Sequence, residues 1–310
     1  MQHELFVGVT TWNSESFLAH CLRSIRRTTE GLNVRIGVVD NLSTDKSVEI
    51  AREFGADVHL ENCSQAIALN RLLDMSTGRF TLLLHSDVVL LSNGWFKACT
   101  AHLEGNSALV SPEDIGCGPI TRYYGKDMPE SCFMLFDTAK ARRARTLGWI
   151  RRRGIPWPKM HLDLDHYYVT HDLPETLARK GYTWYPMRVH ASPSEATPVY
   201  EPPFVPEYWS RELSYLRYGM GNFYSVDGCL THYHNWFDRV PKSEPLDSRE
   251  TTEGEGKGLP LAYLSLCTRN FLQDLEADRL IMPSPHEPQR APSGTPRHVP
   301  DLTRPFAALI

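Results

Sequence analysis

The sequence predicts an α/β fold: a central sheet with helices packed on both of its faces. Short apolar strand-like runs alternate with helical patterns through the first hundred residues, the links between them are brief, and each run ends in polar residues. Parallel neighbours need helical crossovers, and those crossovers cover both faces of the sheet.

Leu5-Phe6-Val7-Gly8-Val9 is the first strand. Ser14 and Glu15 open a helix whose apolar positions Phe17, Leu18, Cys21, Leu22 and Ile25 recur at helical spacing. Val34 to Val39 forms a second strand ending at Asp40, and Ser43 and Thr44 offer N-cap chemistry to a helix through Val48, Ile50 and Ala51. Val58 to Leu60 is a third strand, Gln65 to Met75 a third helix, and Phe80 to Leu84 a fully apolar fourth strand. Further on come strand signals at Cys132 to Phe136 and Gly228 to His232, and helices at Thr138–Ile150, Leu173–Lys180, Tyr208–Tyr218 and Leu259–Leu280.

In an open α/β sheet, ligands bind beyond the carboxyl ends of the strands. Four polar groups stand there: Thr10-Thr11-Trp12-Asn13, Asp40-Asn41, Glu61-Asn62 and His85-Ser86-Asp87. Their convergence on one rim is the main functional expectation from the residues alone.

Composition sets the class. The chain has 310 residues, 41% hydrophobic and 23% charged, with a net charge of -4 that argues against a general polyanion binder. Its 7 cysteines lack a CxxC pair, which points to a reducing compartment. No apolar window reaches the roughly 20 residues of a membrane span, and the polar start resembles no signal segment. The expectation is a cytoplasmic protein, with peripheral membrane contact left open.

Asp40-Asn41-Leu42-Ser43-Thr44-Asp45-Lys46-Ser47 follows the second strand directly; Glu61-Asn62, Asn70, Ser76-Thr77-Gly78-Arg79-Phe80 and Leu82-Leu83-Leu84-His85-Ser86-Asp87-Val88 follow in order. In these residues the chain resembles the family-2 glycosyltransferases of the GT-A fold, whose mixed central sheet is flanked by helices. The resemblance is specific over residues 5 to 97, holds to about residue 190, and fades beyond. It implies an inverting enzyme that moves a sugar from a nucleoside-diphosphate donor, with UDP expected, to the hydroxyl of a saccharide or lipid-linked glycan. Donor contacts are then expected from Thr10, Thr11, Asn13, Asp40, Asn41, Asn62, Asn70, Ser86 and Asp87. A carboxylate such as Asp40 can accept the N3-H of a uracil-like base, and Asp45 is expected to support the loop or the helix start.

The family motif Asp-x-Asp or Asn-x-Asp is replaced here by His85-Ser86-Asp87. Mn²⁺ or Mg²⁺ would bridge the donor phosphates, with Asp87 as ligand and His85 as either a second ligand or a strand-end hydrogen bonder. The resemblance implies that a later histidine completes the shell: His190, His232 or His234, with His232 favoured. His232 and His234 stand two apart on a strand-like run and so share a face.

Inversion needs a base near the acceptor hydroxyl. The family places an acidic motif before a helix ending in Arg-x-x-Gly-Tyr, and Arg179-Lys180-Gly181-Tyr182 occupies that end. Counting back from Gly181 gives Asp172, with Asp165 and Asp163 as alternatives; Val169-Thr170 replaces the usual acids, and Asp172 could equally cap the helix at Leu173.

Lys140, Arg142, Arg143, Arg145, Arg151, Arg152 and Arg153 form a basic cluster without acids. It reads as a solvated helix face or as a contact for a polyanionic acceptor, DNA with hydroxylated bases included. Nearby Trp149, Trp157, Tyr167, Tyr168, Trp184 and Tyr185 could stack on sugars or bases, or fill the core. A third reading is a non-catalytic sugar-nucleotide or glycan-binding module. The expected organisation is a domain over 1–240, split into a nucleotide-sugar half (1–111) and an acceptor half (112–240). A mobile loop (241–258), a helix (259–282) and a proline-rich surface tail (283–310) then follow.

Overall fold

The computed structural model describes residues 3–113, 116–117, 120–121, 129–144, 170, 173–200, 213–235 and 261–284. Strands β1 (Leu5–Thr11), β2 (Val34–Asp40), β3 (Asp57–Leu60) and β4 (Phe80–His85) lie in the order β3-β2-β1-β4 and run parallel. Helices α1 (Glu15–Thr28), α2 (Ser47–Glu53) and α3 (Gln65–Met75) make the crossovers. The remaining strands are β5 (Val88–Leu90), β6 (Ser107–Pro112), β7 (Gly116–Cys117), β8 (Ile120–Thr121), β9 (Phe133–Asp137), β10 (Thr183–Ala191), β11 (Asn222–Val226) and β12 (Cys229–His234). All but the β7–β8 pair extend the same sheet as β9-β6-β10-β11-β12-β5, which makes it mixed, as the GT-A resemblance implies.

Sequence periodicity sorts the two faces. Leu5, Val7 and Val9 of β1 pack with Leu18, Leu22 and Ile25 of α1, while Phe6 faces Leu69, Leu72 and Leu73 of α3 on the other side. The α1 set Phe17, Leu18, Cys21, Leu22 and Ile25 is wholly buried, as its spacing predicts. Gly8 allows α3 to lie this close, since a Cβ there would sit 2.8 Å from the Leu72 Cβ, and Gly37 on β2 leaves room for the Phe6 ring, which a Cβ would meet at 2.7 Å.

The link between β4 and β5 positions the site. Only Ser86 and Asp87 separate them, yet five strands stand between them in the sheet order. The three Cα steps from His85 to Val88 span at most about 11 Å. The outer strands therefore curl back, and the end of β12 meets the end of β4, with His234 paired opposite Val88 in the β12–β5 ladder.

Several expectations change. Ser43 and Thr44 do not cap α2, which starts at Ser47 after Lys46. Asp45 serves there instead, accepting the Ser47 N–H at 2.9 Å and the Glu15 N–H of α1 at 2.9 Å. Of the helix expected over Tyr208–Tyr218, residues 208–212 lie outside the described residues, and Ser214–Tyr218 form turns, with an isolated bridge from Leu216 to Ser194. Leu216 is buried, so its apolar spacing reflects a packed turn rather than a helix face. Of the Thr138–Ile150 helix, α5 (Thr138–Ala144) is seen and the remainder lies outside the described residues. Helix α6 covers Leu173–Ala178 and α7 Leu261–Glu276, while α4 is Trp95–Thr100. Residues 241–258 and most of the tail also lie outside the described residues. No helix among those described is long and apolar enough to cross a membrane.

Candidate metal centre

Because β1 to β4 are parallel neighbours, their carboxyl ends form one rim, and the backbone ties the four loops together. Asn41 N–H donates to Thr11 O, Glu61 N–H to Asp40 O and Ser86 N–H to Thr10 O, at 2.9 to 3.1 Å. Side chains reinforce this. Asn41 Oδ1 accepts the Cys63 N–H (2.9 Å), Asn13 Oδ1 accepts the Thr44 N–H (2.8 Å), and Ser86 Oγ donates to Ser14 Oγ (2.8 Å). Asn13 and Leu42 hold positive φ of 48° and 55°, which turns both loops tightly at the rim. Asn62 is exposed beside them, whereas Asn70 sits on α3 with its amide donated back to Ala66 O.

Asp40 is fully buried at the end of β2, and its two oxygens accept the N–H and hydroxyl of Ser43 at 2.7 and 2.6 Å. Trp12, by contrast, is 42% exposed on the same rim, with Leu42 and Leu60 also exposed around the loops. Thr10 and Thr11 are buried, and the Thr11 hydroxyl has no hydrogen-bond partner among the described residues.

Beyond β4 the donors converge. His85, Asp87 and His234 are all buried, and each offers a ligand atom within 4.8 Å of the others. Asp87 Oδ1 lies 3.4 Å from His234 Nε2 and 4.0 Å from His85 Nδ1, and the two rings meet edge to face at 5.6 Å. On its far side, His85 Nε2 contacts Gln65 and, at 3.1 Å, Ser131 Oγ. His234 Nδ1 lies 3.1 Å from Glu130 Oε1. Burial opposes a charge on His234, while the Asp87 carboxylate beside it favours one and helps to hold its pKa above the usual histidine value. Burial pushes the neighbouring Cys132 thiol up to about 12, so it stays protonated at neutral pH.

Two imidazole nitrogens and one carboxylate oxygen make a mixed donor set for a divalent cation, better suited to Mn²⁺ than to the strongly oxygen-preferring Mg²⁺. The residues therefore fit a bound metal. It is His234, not the favoured His232, that stands beside Asp87. The His232 ring is stacked between Phe133 and Tyr224, with both centroids at 4.4 Å, and Thr231 Oγ1 holds its Nδ1 at 2.9 Å. Burial, and secondarily His234, drive its pKa well below the usual value, which keeps it a neutral core ring. Sharing a face brings the two histidines together, but only the one at the strand end reaches the rim. His190 bonds Ser225 Oγ on β11 at 2.8 Å and is not part of the His85–Asp87–His234 group.

Glu130, Ser131 and Gln65 were not singled out from the sequence. A signal existed for the first two: they precede the Cys132–Phe136 run, and β9 runs antiparallel to β4, so the start of one strand lies at the end of the other. Nothing in the sequence gave that pairing direction.

Asp163, Asp165 and Asp172, the base candidates, lie outside the described residues, as do Arg145 and Arg151–Arg153. Within the described part of the basic cluster, Lys140 and Arg142 brace the fold, while Arg143 is exposed. Lys140 Nζ donates to Leu103 O and Ser107 O at 2.7 Å each, and Arg142 donates to Ser76 O at 2.5 Å. These bonds give Lys140 and Arg142 a part in holding the fold and lend no support to the expected contact with a DNA acceptor. Of the aromatics, Tyr185 stacks on His102 at 3.7 Å.

Among solved structures the chain is similar to the mannosyltransferase PcManGT from Pyrobaculum calidifontis in complex with GDP-Man and Mn²⁺. That pair shares 18% identity at a TM-score of 0.42, over 60% of this chain and 55% of that one. S. aureus TarS 1-349 shares 17% identity at a TM-score of 0.37, over 46% of this chain and 50% of that one. Glucosyl-3-phosphoglycerate synthase from Mycobacterium tuberculosis, in complex with Mn²⁺, UDP and glucosyl-3-phosphoglycerate, shares 22% at 0.32, over 36% and 43%. The match spans about half the length of these proteins. No curated protein matches the chain. The model of glycosyl transferase family 2 matches residues 6–155, the segment that holds β1 to β4, the four rim loops and the His85-Ser86-Asp87 turn.

Proposed function

We propose that this chain is a metal-dependent inverting glycosyltransferase that takes a sugar from a nucleoside diphosphate, with UDP as the base carrier, to the hydroxyl of a saccharide or lipid-linked glycan. The observation that carries the reading is the His85–Asp87–His234 group at the rim where the four parallel strands end. The match of the glycosyl transferase family 2 model to residues 6–155 supports the reaction class.

Each part of the rim has work suited to its chemistry. The exposed Trp12 ring offers a stacking face for a base, and Asp40 supplies an acceptor for the base N3-H once the Ser43 turn moves aside. Asp87, His85 and His234 would hold the cation. A divalent ion bound there offsets the negative charge that builds on the departing diphosphate. The segment with Asp163, Asp165 and Asp172 supplies the carboxylate that takes the acceptor proton as the hydroxyl oxygen bonds to the anomeric carbon and the bond to the diphosphate breaks.

Thermal stabilisation against UDP, GDP, ADP and CDP, each with and without Mn²⁺, tests the donor reading, because a ligand of the native state raises its stability. We expect the largest shift for UDP with Mn²⁺. An equal response to all four bases would refute the uridine assignment, and failure of Mn²⁺ to change any of them would refute the metal role. Product analysis of anomeric configuration tests inversion.

A further inference from the structure

We infer that Glu130 is a positioning residue of the metal centre, holding the His234 ring so that Nε2 faces the cation. This rests on the proposed metal centre and adds a residue that lies outside the His85–Asp87–His234 group.

The argument begins with the two nitrogens of one ring. His234 Nε2 points to Asp87 Oδ1 at 3.4 Å, while Nδ1 lies 3.1 Å from Glu130 Oε1. An imidazole that binds a metal through one nitrogen keeps its proton on the other, and a carboxylate there fixes both tautomer and ring orientation. Glu130 is itself fixed: Tyr224 donates its hydroxyl to Glu130 Oε2 at 2.9 Å, and both residues are buried. The chain Tyr224–Glu130–His234 thus runs from the interior of β11 to the rim. His85 is backed in the same manner, its Nε2 against Ser131 and Gln65 and its Nδ1 toward Asp87. Both rings therefore turn one nitrogen to Asp87 and the other to protein.

A competing arrangement uses the opposite side of the ring. Glu130, Cys132 and His234 also bring ligand atoms within 4.8 Å of one another, so Glu130 and the Cys132 sulfur could bind a metal directly through Nδ1. A neutral imidazole cannot serve both sides at once. The His85–Asp87 side is favoured because His85 and Asp87 follow the carboxyl end of β4, at the rim shared with the loops after β1 and β2, and because Asp87 lies next to both rings.

The test is Mn²⁺ titration of the full chain followed by electron paramagnetic resonance, together with the visible and near-ultraviolet spectrum of the Co²⁺-loaded protein. Glu130→Ala should weaken Mn²⁺ binding about 10- to 100-fold, the cost typical of losing such a partner. Glu130→Gln, which retains an acceptor for the Nδ1 proton, should recover most of that loss. Tyr224→Phe, which frees Glu130 without touching a ligand and guards against misfolding of the alanine variant, should weaken binding by a smaller factor. The Co²⁺ form should show no sulfur-to-metal charge transfer, and Cys132→Ser should bind as the parent does. Charge transfer that disappears in Cys132→Ser would overturn the inference in favour of direct ligation by Glu130 and Cys132. Parent-like Mn²⁺ affinity in Glu130→Ala, alongside loss of binding in Asp87→Ala, would overturn this inference while leaving the metal centre intact. Absence of Mn²⁺ binding by the parent chain would remove both.

Discussion

Replacing Asp87 with asparagine separates a structural turn from a metal ligand. The change keeps the side-chain volume and removes the negative charge next to His234 Nε2 and His85 Nδ1, at 3.4 and 4.0 Å. A ligand present at a hundred times its dissociation constant stabilises the native state by about 2.7 kcal/mol. At roughly 2 °C per kcal/mol for a large domain, Mn²⁺ at that ratio should raise the melting temperature of the parent by about 5 °C. Asp87 is the sole carboxylate of a three-donor set, so its loss should weaken affinity at least as much as removing an outer partner, about 100-fold. The same Mn²⁺ concentration then equals the new dissociation constant, the stabilisation falls to about 0.4 kcal/mol, and the shift shrinks to about 1 °C. Differential scanning fluorimetry with a Mn²⁺ titration measures this directly. His234→Ala should behave like Asp87→Asn. His232→Phe should keep the full metal-induced shift, even if its own melting point falls, because that ring is stacked between Phe133 and Tyr224. An unreduced Mn²⁺ response in Asp87→Asn, or its loss in His232→Phe alone, would refute the assignment of the ligands.

Trp12→Ala should weaken UDP binding by about 1–3 kcal/mol, the range for loss of a base-stacking ring, with little change in Mn²⁺ affinity; isothermal titration resolves the two. Gly78→Ala should destabilise the fold by about 1–3 kcal/mol in urea unfolding, because the new Cβ would lie 2.7 Å from both Phe6 N and Phe80 O, backbone atoms that cannot swing aside. His190, buried beside Ser225, has its pKa lowered from 6.5 to about 4 by burial, with Arg188 adding to the effect. The unfolded chain therefore binds the extra proton first: the contribution of His190 is fully present above pH 6.5 and is lost as pH falls toward 4, by about 3 kcal/mol in all. His190→Gln should flatten that part of the stability–pH curve, and an unchanged slope would count against the buried neutral ring.

The elements most legible in the sequence are those set by local chemistry. The α1 stripe from Phe17 to Ile25 and the Gln65–Met75 helix follow from side-chain period and flanking polar residues, and the structure reproduces both. The rim is readable because neighbouring parallel strands end on one side, so Thr10, Asp40 and Asp87 belong together from the strand pattern alone. Asp45 was likewise placed correctly as support for a helix start, whereas the neighbouring Ser43 gave the signal of a cap and instead closes over the Asp40 carboxylate. A hydroxyl two or three residues after a strand can satisfy either the next helix or the preceding acid, and sequence spacing does not distinguish them.

What the sequence determined by itself was the alternation of strands and helices, the shared rim of the first four strands, and the acid at the end of β4. The choice of His234 over His232, and the arrival of Glu130 at the same point, belonged to the tertiary structure. Both depend on pairings between segments far apart in the chain: β12 against β5, and β9 antiparallel to β4. The two-residue Ser86–Asp87 link holds β5, and with it the end of β12, next to β4, and burial favours stacking His232 between two rings. Neither constraint leaves a periodic trace along the chain, because each arises from closing a three-dimensional surface rather than from the preferences of neighbouring residues.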